Sequence, residues 1–141
     1  MAKTYQLMAW TDKGQVKMIP SLVAELAEPY VQRIQAIKQV PHSRDENAET
    51  RQLIRLSRAH EAFARFFLRV GYWEDAFLQY TEAALVVLPQ PPLERRFLSM
   101  FNHCLQLADE HPAIKDSVQW DELHREWEHV CLEATPARRA S

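Results

Sequence analysis

Glycine is nearly missing from this chain: 141 residues hold 2, against 8 prolines. That scarcity excludes a collagen-like or Gly/Ser-rich chain, and the two isolated glycines, Gly14 and Gly71, cannot form a loop that cradles phosphates. Cysteine is equally rare. Cys104 and Cys131 stand 27 residues apart in apolar helical patterns. This fits neither a zinc spacing nor a secreted disulfide framework, so both are expected as reduced packing thiols. Neither charge dominates: 17 Lys and Arg face 19 Asp and Glu, a net charge of −2, which argues against a surface built throughout for nucleic acid. No apolar run approaches the ~18 residues of a membrane span. The opening MAKTYQLMAWTDKGQ has no basic stretch leading into an apolar core, so no secretory signal is expected. These absences together predict a soluble, cytoplasmic protein with no membrane and no nucleic-acid partner.

Apolar side chains are plentiful, at 47% of the residues. A chain of this length buries roughly two thirds of its unfolded surface, so one domain over residues 1–141 needs no disulfide or metal to fold. Residues 1–19 read as an N-terminal arm. Two alternating pieces, TYQLMAW and QVKMI, flank Thr11-Asp12-Lys13-Gly14, which suits either a short β-hairpin or an irregular arm packing Tyr5 and Trp10 on the helices. From Pro20 the period becomes helical through Leu22, Leu26, Tyr30, Ile34 and Ile37, ending near Val40. Pro29 predicts either a kink near Glu25 to Glu28 or a split into two helices. A second helix is expected from about Asp45 to Val70, entered through Ser43 to Asn47 and stopped by Gly71. The third starts at Tyr72 or Trp73 and ends before Pro89-Gln90-Pro91-Pro92. A fourth spans roughly Leu93 to Glu110 and a fifth Ser117 to Ala134. Residues 20–134 are thus the helical core and 135–141 a frayed tail.

The residues around Gly71 carry the most specific pattern. Phe63-Ala64, Phe67, Gly71, Trp73, Ala76, Tyr80 and Ala83 fall in the order and spacing of a tetratricopeptide repeat, which residues 57–89 resemble. Ala64, Ala76 and Ala83 let two antiparallel helices approach closely, and Phe67, Trp73 and Tyr80 fill the space between them. The segment departs from the family at His60, where Trp is usual, at Phe67, where Tyr is usual, and at Pro89, one residue late. Phe97 and Phe101 repeat Phe63 and Phe67 at an offset of 34, while Leu123, Trp127 and Val130 repeat Ala76, Tyr80 and Ala83 at 47. A second unit would therefore be stretched near His111 to Gln119. The resemblance implies a mainly α fold of five to six antiparallel helices in a right-handed stack. It also implies a non-catalytic protein-interaction module, an adaptor or small chaperone-like protein.

The second helix bears an arginine stripe: Arg51, Arg55, Arg58, Arg65 and Arg69 lie within an arc of about 80° at ~100° per residue. One reading is a solvated face laced with ion pairs to Glu61, each worth ~0.2 to 0.5 kcal/mol. The other follows from the resemblance, which implies a groove lined by Arg58, Glu61, Arg65, Leu68 and Arg69. Such a groove suits an acidic or C-terminal peptide, because guanidinium groups pair carboxylates through two parallel hydrogen bonds. Trp120, Leu123, Trp127, Val130 and Ala134 form a lengthwise seam. It packs either on the fourth helix or, with Trp120 and Trp127 as anchors, on a partner or a second copy in a homodimer.

Histidines do not make a metal site by spacing. His124 and His129 are five apart and point to different faces, and Ala64 stands where the zinc-protease pattern begun by His60-Glu61 needs its second histidine. No catalytic residue, cofactor or metal is expected. The alternative from another class is a small all-helical enzyme or ligand-binding bundle using His60, His103 or His124 with nearby acids.

Overall fold

The four-three spacing of apolar residues becomes five α-helices among the described residues. The structure, a computed structural model, describes residues 8–10, 16–41, 45–88 and 93–140. Two short strands, β1 (Met8–Trp10) and β2 (Val16–Met18), pair antiparallel with Met8 opposite Met18 and Trp10 opposite Val16. Tyr5, the turn expected at Thr11 to Gly14, and the Pro89 to Pro92 cluster lie outside the described residues.

Helix α1 (Pro20–Lys38) begins on Pro20, whose missing N–H is no loss in a first turn. It runs unbroken through Pro29, so the two-helix alternative does not form. Glu25, whose carbonyl loses its donor to Pro29, is exposed and open to water. The buried stripe is Val23, Ala27, Ile34 and Ile37, with Tyr30 half-buried between them. It does not pass through Leu26, which is exposed; the expected seam is displaced by one residue because Val23, Ala27, Tyr30, Ile34 and Ile37 keep the tighter four-three-four-three register.

Helix α2 (Glu46–Arg69) is capped by Asp45, whose Oδ1 accepts the Asn47 N–H at 3.0 Å. Its far end is closed by two bonds, Tyr72 N–H to the Phe67 carbonyl at 2.8 Å and Gly71 N–H to the Leu68 carbonyl at 3.2 Å. That pattern needs a left-handed residue, and Gly71 supplies it at φ 86°. Gln52 ties α2 to the end of α1, donating to the Ile37 and Val40 carbonyls. Tyr30 stacks on Phe63 and Phe66 at ring distances of 5.4 and 5.0 Å.

Helix α3 (Trp73–Leu85) packs on α2 through fully buried alanines, Ala64 on α2 and Ala76, Ala83 and Ala84 on α3. Beside them the Ser57 hydroxyl of α2 donates to the Ala83 carbonyl at 2.7 Å. Helix α4 (Glu94–Glu110) buries Phe97, Met100, Phe101, Cys104, Leu107 and Ala108. A 3₁₀ turn (Pro112–Asp116), which has no apolar period to announce it, then inserts Ile114 into the core. Ser117 accepts the Trp120 N–H at 3.1 Å and starts α5 (Val118–Ala140). The helix runs past Ala134 to Ala140, so its backbone stays helical where a frayed tail is expected. The architecture is mainly α. No helix of the described residues is long and apolar enough to cross a membrane.

Candidate interaction surface

The polar face of α2 is bounded on both sides by neighbouring helices. Toward α1, Arg69 donates to the Tyr30 hydroxyl at 3.3 Å. Toward α4, Arg96 donates from Nη2 to Glu61 at 2.7 Å and from Nε to the Ser57 hydroxyl at 2.8 Å. Ser57 in turn donates to Ala83, so one chain of bonds joins α2, α3 and α4. Between these borders Arg51, Arg55, Arg58, Arg65 and Arg69 are exposed. Among the described residues no ion pair engages Arg51, Arg55 or Arg58. Arg95 adds another exposed guanidinium at the start of α4.

The five positions singled out by spacing therefore separate. Arg58, Arg65, Leu68 and Arg69 are open to solvent. Glu61 is not: its side chain is 14% exposed and accepts from both Arg65, at 2.9 Å, and Arg96. It works as a brace between helices and leaves the face cationic. Arg65 remains 61% exposed and also bears on Tyr80, opposing the rise in the phenol's pKa that burial causes. Spacing along α2 does not single out Arg96. Its signal in the sequence is the Arg95-Arg96 doublet, about one repeat length beyond Glu61.

Trp120 and Trp127 are both used inside the chain. Phe101 stacks on Trp120 at 5.8 Å and on Trp127 at 5.2 Å. Trp120 is buried and Trp127 half-buried, beside a groove of about 400 Å³ lined by Leu105, Lys115, Asp121 and His124.

No family model, curated protein or solved structure matches the chain. The function must be argued from its own groups. Four of the six histidines are separately engaged: His60 with Gln79 at 2.7 Å, His103 stacked on Tyr80, His111 stacked on Trp73, and His124 against Glu128 at 3.1 Å. Burial pushes the His60 imidazole below its ordinary pKa, outweighing the Gln79 bond and Glu82, which raise it; Lys38 lowers it further. Burial also pushes the Cys104 thiol up to about 12, so it stays protonated beside Thr81 and is no nucleophile at neutral pH. Cys131 is half-buried and in no disulfide. Among the described residues no three His, Cys, Asp or Glu side chains converge as a metal site would require.

Proposed function

We propose that this chain is a non-catalytic interaction module, an adaptor or small chaperone-like protein, that docks an acidic protein segment on the arginine face of α2. What carries the proposal is that a single acid, Glu61, is shared between Arg65 and Arg96, while among the described residues Arg58 and Arg69 are exposed and in no ion pair. Here one acid serves the α2 to α4 contact and the cations outnumber it.

The stacking we propose is tetratricopeptide-like. Close α2 to α3 packing through alanine, the left-handed turn at Gly71 and the Arg96 bridge from α4 back to α2 all support it. In that arrangement α2 and α4 line the binding side, with Leu68 offering an apolar contact beside Arg69. A cytoplasmic location, with both thiols reduced, belongs to the same proposal.

The test is affinity capture from native cell extract, repeated in about 0.5 M salt, where exposed charge pairs are strongly screened. A protein partner retained at low salt, and lost both in high salt and with Arg65→Glu/Arg69→Glu, is the expected result. A partner held equally by the charge-reversed chain contradicts the assignment.

A further inference from the structure

Helix α5 carries the opposite charge on its own outer face. Asp121, Glu122 and Glu128 are exposed and Glu126 is half-exposed, while Arg125 is the one Lys or Arg between Val118 and Leu132. Val118 and Leu132, 75% and 65% exposed, stand seven residues to either side of Arg125. Seven residues is nearly two helical turns, so these two large apolar side chains share the face that the acids border. Inside the chain α5 packs on α3, α4 and the 3₁₀ turn, and its acidic face is left to solvent.

The charges on the two helices repeat at matching intervals. Asp121 and Glu128 are seven residues apart, as are Arg58 and Arg65; Glu122 and Glu126 are four apart, as are Arg51 and Arg55, and Arg65 and Arg69. At ~1.5 Å per residue, these intervals are ~10.5 and ~6 Å on both helices. The aliphatic stems of arginines can also cover apolar side chains such as Val118 and Leu132 while their guanidinium heads reach the flanking carboxylates. A net charge of only −2 leaves little long-range repulsion between copies.

We infer that the arginine face of α2 receives the acidic face of α5 from a second copy of this chain. This rests on the reading of α2 as a dock for acidic segments and names its occupant. The contact joins two different surfaces, so after pairing one copy keeps a free acidic face and the other a free arginine face. Association therefore runs head to tail, closing into a ring or continuing as a chain of copies. Glu128 is shared with His124, and the Trp120 to Trp127 seam on the inner side of α5 takes no part.

Sedimentation velocity on the full chain tests this at about 0.1 M and about 1 M salt, between which the screening length falls from ~10 Å to ~3 Å. At low salt the sedimentation coefficient is expected to climb with protein concentration, and at high salt to hold at the monomer value. Two variants block one face each: Arg51→Gln/Arg55→Gln/Arg58→Gln on α2, and Asp121→Asn/Glu122→Gln/Glu126→Gln on α5. All six side chains lie outside the buried core, and circular dichroism checks that the helices are kept. Each variant alone is expected to stay monomeric, and an equal mixture to give a dimer that grows no further, because each contributes its one intact face. A wild-type monomer at every concentration and both salts overturns the inference, as does continued growth by either variant alone. Adding a poly-glutamate peptide separates the two levels. A monomeric chain that binds the peptide through its arginines loses the self-docking but keeps the acidic dock; one that ignores the peptide loses both.

Discussion

Glu61 and Arg96 set what the arginine face can do. The carboxylate braces α2 against α4 and pairs with Arg65, leaving Arg51, Arg55, Arg58 and Arg69 without an acid among the described residues. Removing the brace leaves the half-buried acid with Arg65 alone and takes the Nε donor from Ser57. Arg96→Met should therefore lower stability by about 1 to 3 kcal/mol, read as a fall in denaturant midpoint at unchanged slope. Glu61→Gln keeps a hydrogen-bonding oxygen but removes the charge. It should tighten binding of an acidic peptide a few-fold, measured by titration, because less negative charge then opposes the ligand.

His60 gives a pH dependence of definite sign. Its folded pKa lies below 6.5, so the unfolded chain binds more protons in the interval between the two values. Stability is therefore full above 6.5 and declines as pH falls through 6.5 toward the folded value. His60→Gln should flatten that part of the melting temperature profile, and a variant with the same acid slope as wild type would remove His60 as its source. The burial responsible was not legible in a lone histidine at a repeat position usually held by Trp. It comes from tertiary packing, and Gln79 of α3, which bonds the ring, opposes the shift.

At the scale of elements, the hairpin of α2 and α3 depends on two local requirements. Gly71 holds φ 86°, and Gly71→Ala should cost about 1 to 2 kcal/mol in equilibrium unfolding, since a Cβ there meets the carbonyl. Ala83 is fully buried beside the Ser57 bond. Ala83→Leu forces the helices apart, and a loss of about 1 to 3 kcal/mol is expected, with the Ser57 and Arg96 bonds weakened together. Both requirements were readable in the sequence, because a glycine after an amphipathic run marks a left-handed stop and alanines at helical spacing mark a close approach. The register of α1 was less readable. Leu22 and Leu26 compete with Val23 and Ala27 for the same seam, and hydrophobicity favours the leucines that the packing leaves at the edge. The 3₁₀ turn was hidden for another reason: Pro112 and Ile114 act through a tertiary contact, with no period of their own.

Across the whole molecule, charge is separated by element while the net value stays small. Arginines collect on α2 and acids on the outer face of α5, a division that the total of −2 conceals. The arginine stripe itself was visible in the sequence through its spacing. The partition of the five candidate positions was not, because Glu61 is withdrawn by a residue 35 positions away. For Trp120 and Trp127 the spacing allowed an inner seam or an interface, and their stacking on Phe101 accounts for both rings within one chain.

If the exposed guanidinium groups of α2 bind carboxylates, a labelled glutamate-rich peptide titrated with the full chain will show it in its fluorescence anisotropy. Binding that weakens at least tenfold in Arg58→Gln/Arg65→Gln/Arg69→Gln, a loss of about 1.4 kcal/mol or more, is the predicted result. Equal affinity for wild type and the folded triple variant, or no binding by either at low salt, would contradict it.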